Sequence, residues 1–178
     1  MRSYRLGRRQ AAADQTRIRI LNAAHDLIAS GSPAAVGEIA RRAGVSRITV
    51  YNRFGSRAGL LDALSAADSP STPEPEIPAR DQLQLHLARA CRRWAADPAF
   101  FRHLPAGARP GEDEIGRELA ERLAHEDALR PGCSIKEAED VIAVLISFPV
   151  FDRLHKDGRR PAAGVAEILM RLAAGVVA

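Results

Sequence analysis

Cysteine and metal-ligand patterns are scarce in this 178-residue sequence. Its two cysteines, Cys91 and Cys133, lack the Cys-x-x-Cys spacing of zinc and redox sites, so we predict reduced thiols rather than a disulfide framework. The five histidines show no His-x-x-x-His spacing, which argues against a metal site. Glycine-rich phosphate loops and nucleophile elbows are also missing. The sequence therefore predicts neither an enzyme nor a cofactor.

Long hydrophobic runs are missing as well. The longest, residues 141–151, is interrupted by Ser147 and Pro149 and is far shorter than the roughly 20 residues that a membrane-spanning helix needs. The first ten residues are rich in arginine, but no apolar stretch follows them as in a secretory signal. Aromatic residues are only 4% of the chain, yet hydrophobic residues reach 46%, which is enough for a core. We expect a folded cytoplasmic protein that does not enter a membrane.

Charge is distributed unevenly along the chain. Residues 1–67 contain eleven arginines and no lysine against four acidic residues, a formal charge of +7. Residues 68–178 contain 15 basic and 18 acidic residues, a formal charge of −3. A basic module joined to a slightly acidic one is typical of a polyanion-binding domain carried by a second domain, so nucleic acid is the predicted partner. The arginines within residues 1–13 either contact DNA or only keep a tail soluble, and the sequence leaves both open.

Hydrophobic periodicity indicates helices throughout the chain. The predicted helices cover residues 14–30, 36–43, 47–54, 56–66, 81–96, a short piece after Pro98, 113–129, 135–156 and 161–177. Four prolines and three acidic residues fall between positions 68 and 78, which indicates a linker. The predicted fold is all-α: a flexible basic arm at 1–13, a three-helix helix-turn-helix DNA-binding domain at 14–67, a Pro-rich linker at 68–78, and a helical bundle for sensing and dimerisation at 79–178.

The second and third predicted helices have the spacing of a helix-turn-helix. A small residue, Ala40, and a glycine, Gly44, lie where the two helices would cross at a tight turn. At 100° per residue, Val50 packs inward, whereas Ile48 and Asn52 point the opposite way. The third helix is therefore the predicted recognition helix.

The outward residues of that helix have the chemistry to read DNA. Asn52 suits a bidentate contact with adenine, and Ile48 suits a thymine methyl group. Arg47, Arg53 and Arg57 suit phosphate or guanine. The alternative is that these side chains are only the solvated surface of a small helical hairpin, but the turn spacing and the +7 charge favour DNA.

Two stretches carry a specific resemblance: IARRAGVSR at 39–47 and TVYNRFGSR at 49–57. Over residues 14–67 the sequence resembles the DNA-binding domain of the TetR family of transcriptional regulators. The resemblance implies that the recognition helix starts at or near Ser46, and that Arg53 and Arg57 replace the family's usual phosphate-binding histidine and lysine. The predicted DNA-binding residues are Ser46, Arg47, Ile48, Thr49, Tyr51, Asn52, Arg53 and Arg57.

Two positions depart from the family pattern. Ala35 stands where a threonine or serine usually caps the second helix, and Ser32 stands where an aromatic residue commonly follows the first helix. An alanine N-cap costs about 0.5–2 kcal/mol, unless Ser32 with Pro33 starts the helix earlier. The contact at that helix end is therefore expected to come from another residue.

The C-terminal half resembles the family only loosely, through residues 151–158 and a last amphipathic helix. The family builds an intersubunit four-helix bundle from its last two helices, so the resemblance implies a homodimer; the alternative is packing within one subunit. The predicted interface residues are Leu154, Val165, Ile168, Leu169, Leu172 and Val176.

Aromatic residues of the second domain are candidates for lining a ligand pocket, although aromatic residues on helices more often form core. These candidates are Trp94, Phe100, Phe101, His103, Phe148 and Phe151. Pro149 is expected to kink the helix predicted over 135–156, which makes room for a ligand. The resemblance implies a regulator, usually a repressor, that a small hydrophobic ligand releases from palindromic double-stranded operator DNA. Two alternatives stay open: an architectural DNA-binding protein, and a regulator whose C-terminal domain only dimerises.

Overall fold

The computed structural model describes residues 2–67, 77–105 and 112–178, with side chains from residue 10 onward except at 65–67 and 112–113. Contacts divide the chain into an N-terminal unit, Met1–Ser69 with Arg102–Arg109, and a C-terminal unit, Pro70–Phe101 with Pro110–Ala178. Regular structure within the described ranges is helical, apart from one isolated antiparallel bridge. None of the described helices is long and apolar enough to cross a membrane. The same residues include no group of three or more metal-ligating side chains placed to hold an ion.

The helices of the N-terminal unit pack around the apolar face of its first helix. They are α1 (Arg2–Ala29), α2 (Val36–Ala43), α3 (Arg47–Phe54) and α4 (Arg57–Ala67). Helix α1 contacts α2 and α4, and α3 contacts α2 and α4 in turn. The buried side chains of this core include Ile20, Ala23, Ala24, Leu27, Ile28, Ile39, Ala40, Ala43, Val50, Leu60, Leu61 and Leu64.

Helix α1 begins at Arg2, so residues 2–13 continue the helix instead of forming the predicted flexible arm. Residues 10–13 are Gln-Ala-Ala-Ala, which have high helix propensity. Gln10 Nε2 also donates to Asp14 Oδ1, one turn further on, at 3.2 Å. The sequence prediction depended on an apolar face, which this segment lacks. Extending an existing helix does not need one, because propagation adds a hydrogen bond for each residue that it fixes.

Helices α2 and α3 have the bounds predicted for them. Gly44 adopts the left-handed conformation, with φ 65°, and its amide closes the end of α2 on the carbonyls of Ala40 and Arg41. Ala35 is the N-cap of α2 without a side-chain hydrogen bond, so the helix does not start earlier at Ser32.

The C-terminal unit continues with α5 (Ala79–Ala96), α6 (Pro98–His103), α7 (Glu112–His125), α8 (Ile135–Leu145), α9 (Phe148–Asp152), a π-helical segment (Arg153–Asp157) and α10 (Ala162–Ala173). The last two residues of α6 group with the N-terminal unit. Within the C-terminal unit, α7 packs on α8 and α10 packs on α5. Its buried side chains include Leu83, Leu87, Cys91, Trp94, Phe100, Leu119, Leu123, Ile142, Leu145, Phe148, Phe151, Val165 and Leu169. Burial raises the pKa of the Cys91 thiol to about 12.

Pro149 interrupts the predicted helix over 135–156 rather than kinking it. Helix α8 ends at Leu145, Ser147 is extended, and a new helix begins at Phe148 with Pro149 in its first turn. Inside a helix a proline lacks the amide hydrogen that would bond to the carbonyl four residues earlier, and its ring clashes with that carbonyl. In the first turn of a helix neither effect is costly, because the amides there have no intrahelical partner and no helical turn precedes the ring. The aromatic side chains at 148 and 151 therefore belong to a short separate helix.

Two helices of this unit end earlier than predicted because the chain segments that follow them pair with each other. The Arg130 amide donates to the Val176 carbonyl at 2.9 Å, and the Ala178 amide donates to the Ala128 carbonyl at 2.8 Å. Asp127 has a positive φ of 52°, which turns the chain out of α7. Val176 consequently lies outside α10 and is buried.

Polar contacts hold the start of α5 against α7. Glu126 Oε2 accepts from the Ala79 amide at 2.7 Å, and Arg122 Nη2 donates to the Ile77 carbonyl at 2.8 Å. Arg122 also bonds to Glu126 at 3.1 Å. The Ala79 amide, more than the Arg122 guanidinium, lowers the pKa of Glu126. Residues 68–76 of the predicted linker at 68–78 lie outside the described residues.

Candidate nucleic-acid interface

Helix α3 turns one face into the protein and leaves the other exposed. Val50 is 1% exposed, whereas Ile48 is 70% exposed and Tyr51 is 48% exposed. Asn52 and Arg53 are exposed as well. The exposed face of α3 therefore presents to solvent an apolar side chain, Ile48, beside side chains that can form hydrogen bonds.

Ser46 fixes the start of α3. Its Oγ accepts from the Thr49 amide at 3.1 Å and lies 2.9 Å from the Thr49 hydroxyl. A serine N-cap satisfies one of the amides that the first turn leaves without an intrahelical partner. These two residues therefore set the direction in which α3 leaves the turn.

A concavity of about 730 Å³ lies beside α3, at the N-terminus of α2. Arg47 lies across the first turn of α2, where a Cβ on Gly37 would come within 2.6 Å of its Nη2 atom. Arg57 Nε donates to the Ala34 carbonyl at 3.1 Å, which fixes that side chain at the rim. The lining residues are Pro33, Ala34, Ala35, Val36, Gly37, Glu38, Arg41, Arg47, Tyr51 and Arg57.

The electrostatics of the concavity favour an anion. The N-terminus of α2 carries partial positive charge, and Ala35 offers its amides no side-chain acceptor. Glu38 is engaged by Arg41 through two hydrogen bonds, which lower the pKa of its carboxyl group. Arg47 and Arg57 add two further guanidinium groups. A phosphate group is the chemistry that such a helix end with flanking arginines accommodates.

Arg17 of α1 touches the other end of α3. Its guanidinium carbon lies 5.0 Å from the centre of the Phe54 ring, a cation–π distance. The contact connects the basic side of α1 to the C-terminus of α3.

Residues 20–64 match the family model for bacterial regulatory proteins of the tetR family. Residues 20–64 therefore form a domain of the tetR family. The matched residues include α2 and α3, which form the helix-turn-helix of this domain. The match therefore confirms the predicted DNA-binding fold. The comparison with curated proteins gives no match.

Solved structures share the fold of the whole chain. NalD of Pseudomonas aeruginosa, the secondary repressor of the MexAB-OprM multidrug efflux pump, is 23% identical over 94% of this chain and 98% of its own, with a TM-score of 0.66. TylP of Streptomyces fradiae, a TetR regulator, is 20% identical over 93% of this chain and 88% of its own, with a TM-score of 0.65. FadR of Bacillus subtilis, solved with stearoyl-CoA, is 18% identical over 88% of this chain and 96% of its own, with a TM-score of 0.61. These likenesses confirm the predicted all-α fold with a helical C-terminal domain.

Most of the aromatic side chains predicted to line a ligand pocket pack against one another. The Trp94 ring lies 5.3 Å from Phe151 and 6.1 Å from Phe148, and Phe101 lies 5.6 Å from Phe148. All four are buried, as is Phe100, whereas His103 is exposed and groups with the N-terminal unit. Trp94 Nε1 is nevertheless buried without a hydrogen-bond partner. These side chains form core, and one of them carries an unsatisfied donor.

The predicted dimer residues divide into two groups. Val165, Leu169 and Val176 are buried within the subunit, so they are core rather than interface. Val165 and Leu169 lie on α10, which makes most of its contacts with α5 of the same chain. Leu154 and Ile168 are half-buried, and Leu172 is 56% exposed. Val144 on α8 is 57% exposed and was not among the predicted residues.

Sequence reasoning missed Gly37 and Arg17 at the candidate DNA interface. Gly37 matters because Arg47 lies against it, and Arg17 matters because it covers Phe54. Nothing in the local pattern distinguishes these residues from an ordinary helix glycine and a solvated arginine. The signal is the proximity of two helices, which only the tertiary structure provides.

Proposed function

We propose that this protein is a homodimeric repressor that binds palindromic operator DNA through α3 in the major groove and leaves it when a small hydrophobic ligand binds. The observation that carries the proposal is the exposed face of α3 beside the arginine-lined concavity at α2. One surface thus offers side chains for base edges and a site for the backbone phosphate.

The side chains at this surface are proposed to have two kinds of role, contact with base edges and contact with backbone phosphates. We propose that Asn52 and Ile48 meet base edges, the first as a bidentate partner of adenine and the second against a thymine methyl group; the exposure of both side chains supports these roles. Arg47 lies over the first turn of α2, which favours a phosphate contact over the guanine contact that the sequence left open. Arg57 has the same role at the rim, and Arg53 is exposed for a further phosphate.

Selection of bound duplexes from a random pool tests this proposal. We expect a palindrome whose half-sites lie about one helical turn, or a multiple of it, apart. Asn52→Ala should select a degenerate base at one position of each half-site, while Arg57→Ala should select the wild-type sequence with weaker binding. A pool that shows no enriched sequence with the wild-type protein would contradict operator recognition.

Dimerisation is proposed through the exposed apolar residues of α8 and α10. Val144 and Leu172 are large, exposed and located on the two helices that pair between subunits in this family. Val144→Glu with Leu172→Glu should therefore give monomers in sedimentation and weaken operator binding, since one half-site supplies too little contact. The control is Glu167→Ala, an exposed substitution on α10 that should leave the dimer intact.

The ligand is proposed to enter the aromatic cluster formed by Trp94, Phe101, Phe148 and Phe151. An unsatisfied buried donor costs about 1–3 kcal/mol, so an uncharged apolar ligand with one oxygen acceptor would gain by bonding to Trp94 Nε1. FadR of the same fold was solved in complex with stearoyl-CoA, which supports a hydrophobic ligand in a domain of this fold. The second candidate function is a domain that only dimerises, and the close packing of the same rings supports it.

Tryptophan fluorescence distinguishes the two possibilities. A panel of apolar ketones and esters, each paired with its hydrocarbon analogue, is tested for quenching of Trp94 and for release of operator DNA. We expect the oxygen-bearing member of a pair to release the operator at lower concentration, and Trp94→Phe to abolish that difference. Compounds that bind without changing operator affinity would leave the dimerisation-only function in place.

A further inference from the structure

Part of the surface formed by α8 and α10 is apolar and exposed. Ile135 and Val144 on α8 are 47% and 57% exposed, and Leu172 on α10 is 56% exposed. At 100° per residue, Val144 shares one face of α8 with Glu137 and Asp140, within about 60° of the helix circumference. Both carboxylates are exposed as well. Val144 therefore lies beside two acidic side chains on the open side of its helix.

Backbone contacts define the two ends of this surface. At one end, the Arg130 amide donates to the Val176 carbonyl at 2.9 Å, so the residues that precede α8 lie beside those that follow α10. At the other end, His155 Nδ1 lies 2.6 Å from the Arg160 carbonyl oxygen, so the π-helical segment lies beside the start of α10. Helix α10 is twelve residues long and separates the ends by about 18 Å. The start of α8 and the π-helical segment are therefore at opposite ends.

The two ends carry opposite charge. Residues 135–140 contain three acidic residues and one lysine, a formal charge of −2, and we call them the acidic end. Residues 152–160 contain four basic and two acidic residues, a formal charge of +2 with His155 neutral, and we call them the basic end. Helix α10 between them carries one acidic and one basic residue. Because their separation exceeds the Debye length of about 8 Å at physiological ionic strength, the two ends interact little within one subunit.

The charges of each end are only partly neutralised within the subunit. Lys136 Nζ lies 3.0 Å from Asp140 Oδ1, but this lysine is the one base of the acidic end. Glu137, Lys156 and Arg159 are exposed, and within the described residues none of the three forms an ion pair. Each end therefore retains charge that a second molecule can neutralise.

We propose that a second copy of this chain covers the surface in an antiparallel arrangement, with the acidic end of each subunit against the basic end of the other. The inference rests on the proposed function, whose dimer uses Val144 and Leu172, and assigns the charges around them. An isologous dimer uses the same surface twice, so the antiparallel arrangement brings opposite charges together at both ends. A parallel arrangement would bring like charges together, which is unfavourable. The charged ends therefore fix the direction in which the subunits pair.

Charge reversal at each end tests the arrangement. One variant carries Lys156→Glu with Arg159→Glu, and the other carries Glu137→Lys with Asp140→Lys. Each should raise the dimer dissociation constant at low salt at least about tenfold in sedimentation, because like charges would then face one another. The wild-type constant should itself rise between about 0.05 and 0.5 M salt, since salt screens the attraction.

A control variant and a mixture separate lost pairing from other effects. The control, Arg92→Glu with Arg117→Glu, makes the same change of charge at exposed positions on α5 and α7 and should keep the wild-type dissociation constant. The first reversal variant is acidic at both ends and the second is basic at both ends. An equimolar mixture should therefore sediment as heterodimers at a concentration at which each variant alone is a monomer. A variant that had failed to fold would not recover in this way.

The outcomes separate this inference from the proposed function. Reversal variants that keep the wild-type dissociation constant, or a mixture that stays monomeric, overturn the antiparallel charge pairing and leave dimerisation through Val144 and Leu172 in place. A control variant that weakens the dimer as much as the reversal variants also overturns the pairing, because the effect would then follow net charge alone. A wild-type protein that is a monomer at micromolar concentration overturns the proposed dimer and this inference with it.

Discussion

The two units differ in where their characteristic side chains lie: on the surface in the N-terminal unit and in the core in the C-terminal unit. The N-terminal unit exposes Ile48 and Tyr51 and surrounds the first turn of α2 with arginine, while its buried core is aliphatic. The C-terminal unit buries its aromatic side chains, including Trp94 and Phe151, against one another. Side chains on the surface of the first unit are thus available to a partner, and those inside the second hold a domain together. Substitutions on the exposed face of α3 and at the concavity should change DNA binding, and substitutions in the aromatic cluster of the second unit should change stability.

The largest effect is expected in the aromatic cluster of the C-terminal unit. Phe151→Ala removes a fully buried ring that contacts Trp94, Phe148 and His155, so it should lower the free energy of unfolding by about 3–5 kcal/mol. Chemical denaturation followed by Trp94 fluorescence measures the change. Arg92→Ala, at an exposed position on α5, is the control and should cost little. A loss below about 1 kcal/mol for Phe151→Ala would show that the cluster is not the core described above.

The next effect concerns DNA affinity in the N-terminal unit. Arg47→Ala should weaken binding to operator and scrambled DNA alike, by about 1.5–3 kcal/mol for a lost charged hydrogen bond, and reduce the salt slope by about 1 per protomer. Gly37→Ala should have a smaller effect of the same kind, because its Cβ displaces the Arg47 guanidinium. In the Arg47→Ala background, Gly37→Ala should then add nothing. Additive losses would mean that Gly37 does not act through Arg47.

Two helix N-caps of the N-terminal unit, those of α2 and α3, provide a smaller, paired effect. Ser46→Ala removes the hydrogen bond to the Thr49 amide and should cost about 1 kcal/mol of stability. Ala35→Ser supplies the missing cap of α2 at a backbone conformation, φ −74° and ψ 137°, that suits one, so it should stabilise by a similar amount. Thermal unfolding of both variants measures the changes in stability. If both variants were destabilised, or both stabilised, the capping interpretation would be contradicted.

The smallest effect is a pH dependence in the C-terminal unit. The Ala79 amide lowers the pKa of Glu126 in the folded protein, so its contribution to stability is fully present above the unfolded pKa of about 4.3. That contribution is lost as the pH falls through the lower folded pKa. Glu126→Gln should therefore flatten the decline in stability between about pH 5 and 3 in urea unfolding. Glu118→Gln removes an exposed carboxylate from α7, the helix that ends just before Glu126, and serves as the control; if it flattens the decline equally, the Ala79 contact is not the cause.

Local chemistry made the helix-turn-helix predictable from the sequence. Gly44 ends α2 and Ser46 begins α3 through bonds to their own neighbours, so both bounds follow from residue types at fixed offsets. The inward position of Val50 and the outward position of Ile48 follow from helical period alone. The resemblance of the motif to a family supplied the function that these contacts serve.

Tertiary contacts account for what the sequence did not predict. An amphipathic stripe shows that Val165 and Leu169 need a partner, but it does not say whether the partner is α5 of the same chain or a second subunit. The position of Arg47 over Gly37 likewise depends on how two helices meet. The start of α1 was missed because helix propensity, rather than an apolar face, extends it to Arg2.

In the proposed interface α3 reads bases while the arginines beside it contact the backbone, and Asn52→Ala separates these two roles. The measurement is the dissociation constant of the wild-type and variant proteins for the selected operator and for a scrambled duplex at the same salt concentration. A lost bidentate contact should weaken operator binding by about 1–3 kcal/mol per half-site and leave scrambled DNA unchanged, so the specificity ratio falls. Equal losses on both duplexes, or no loss on either, would contradict the account.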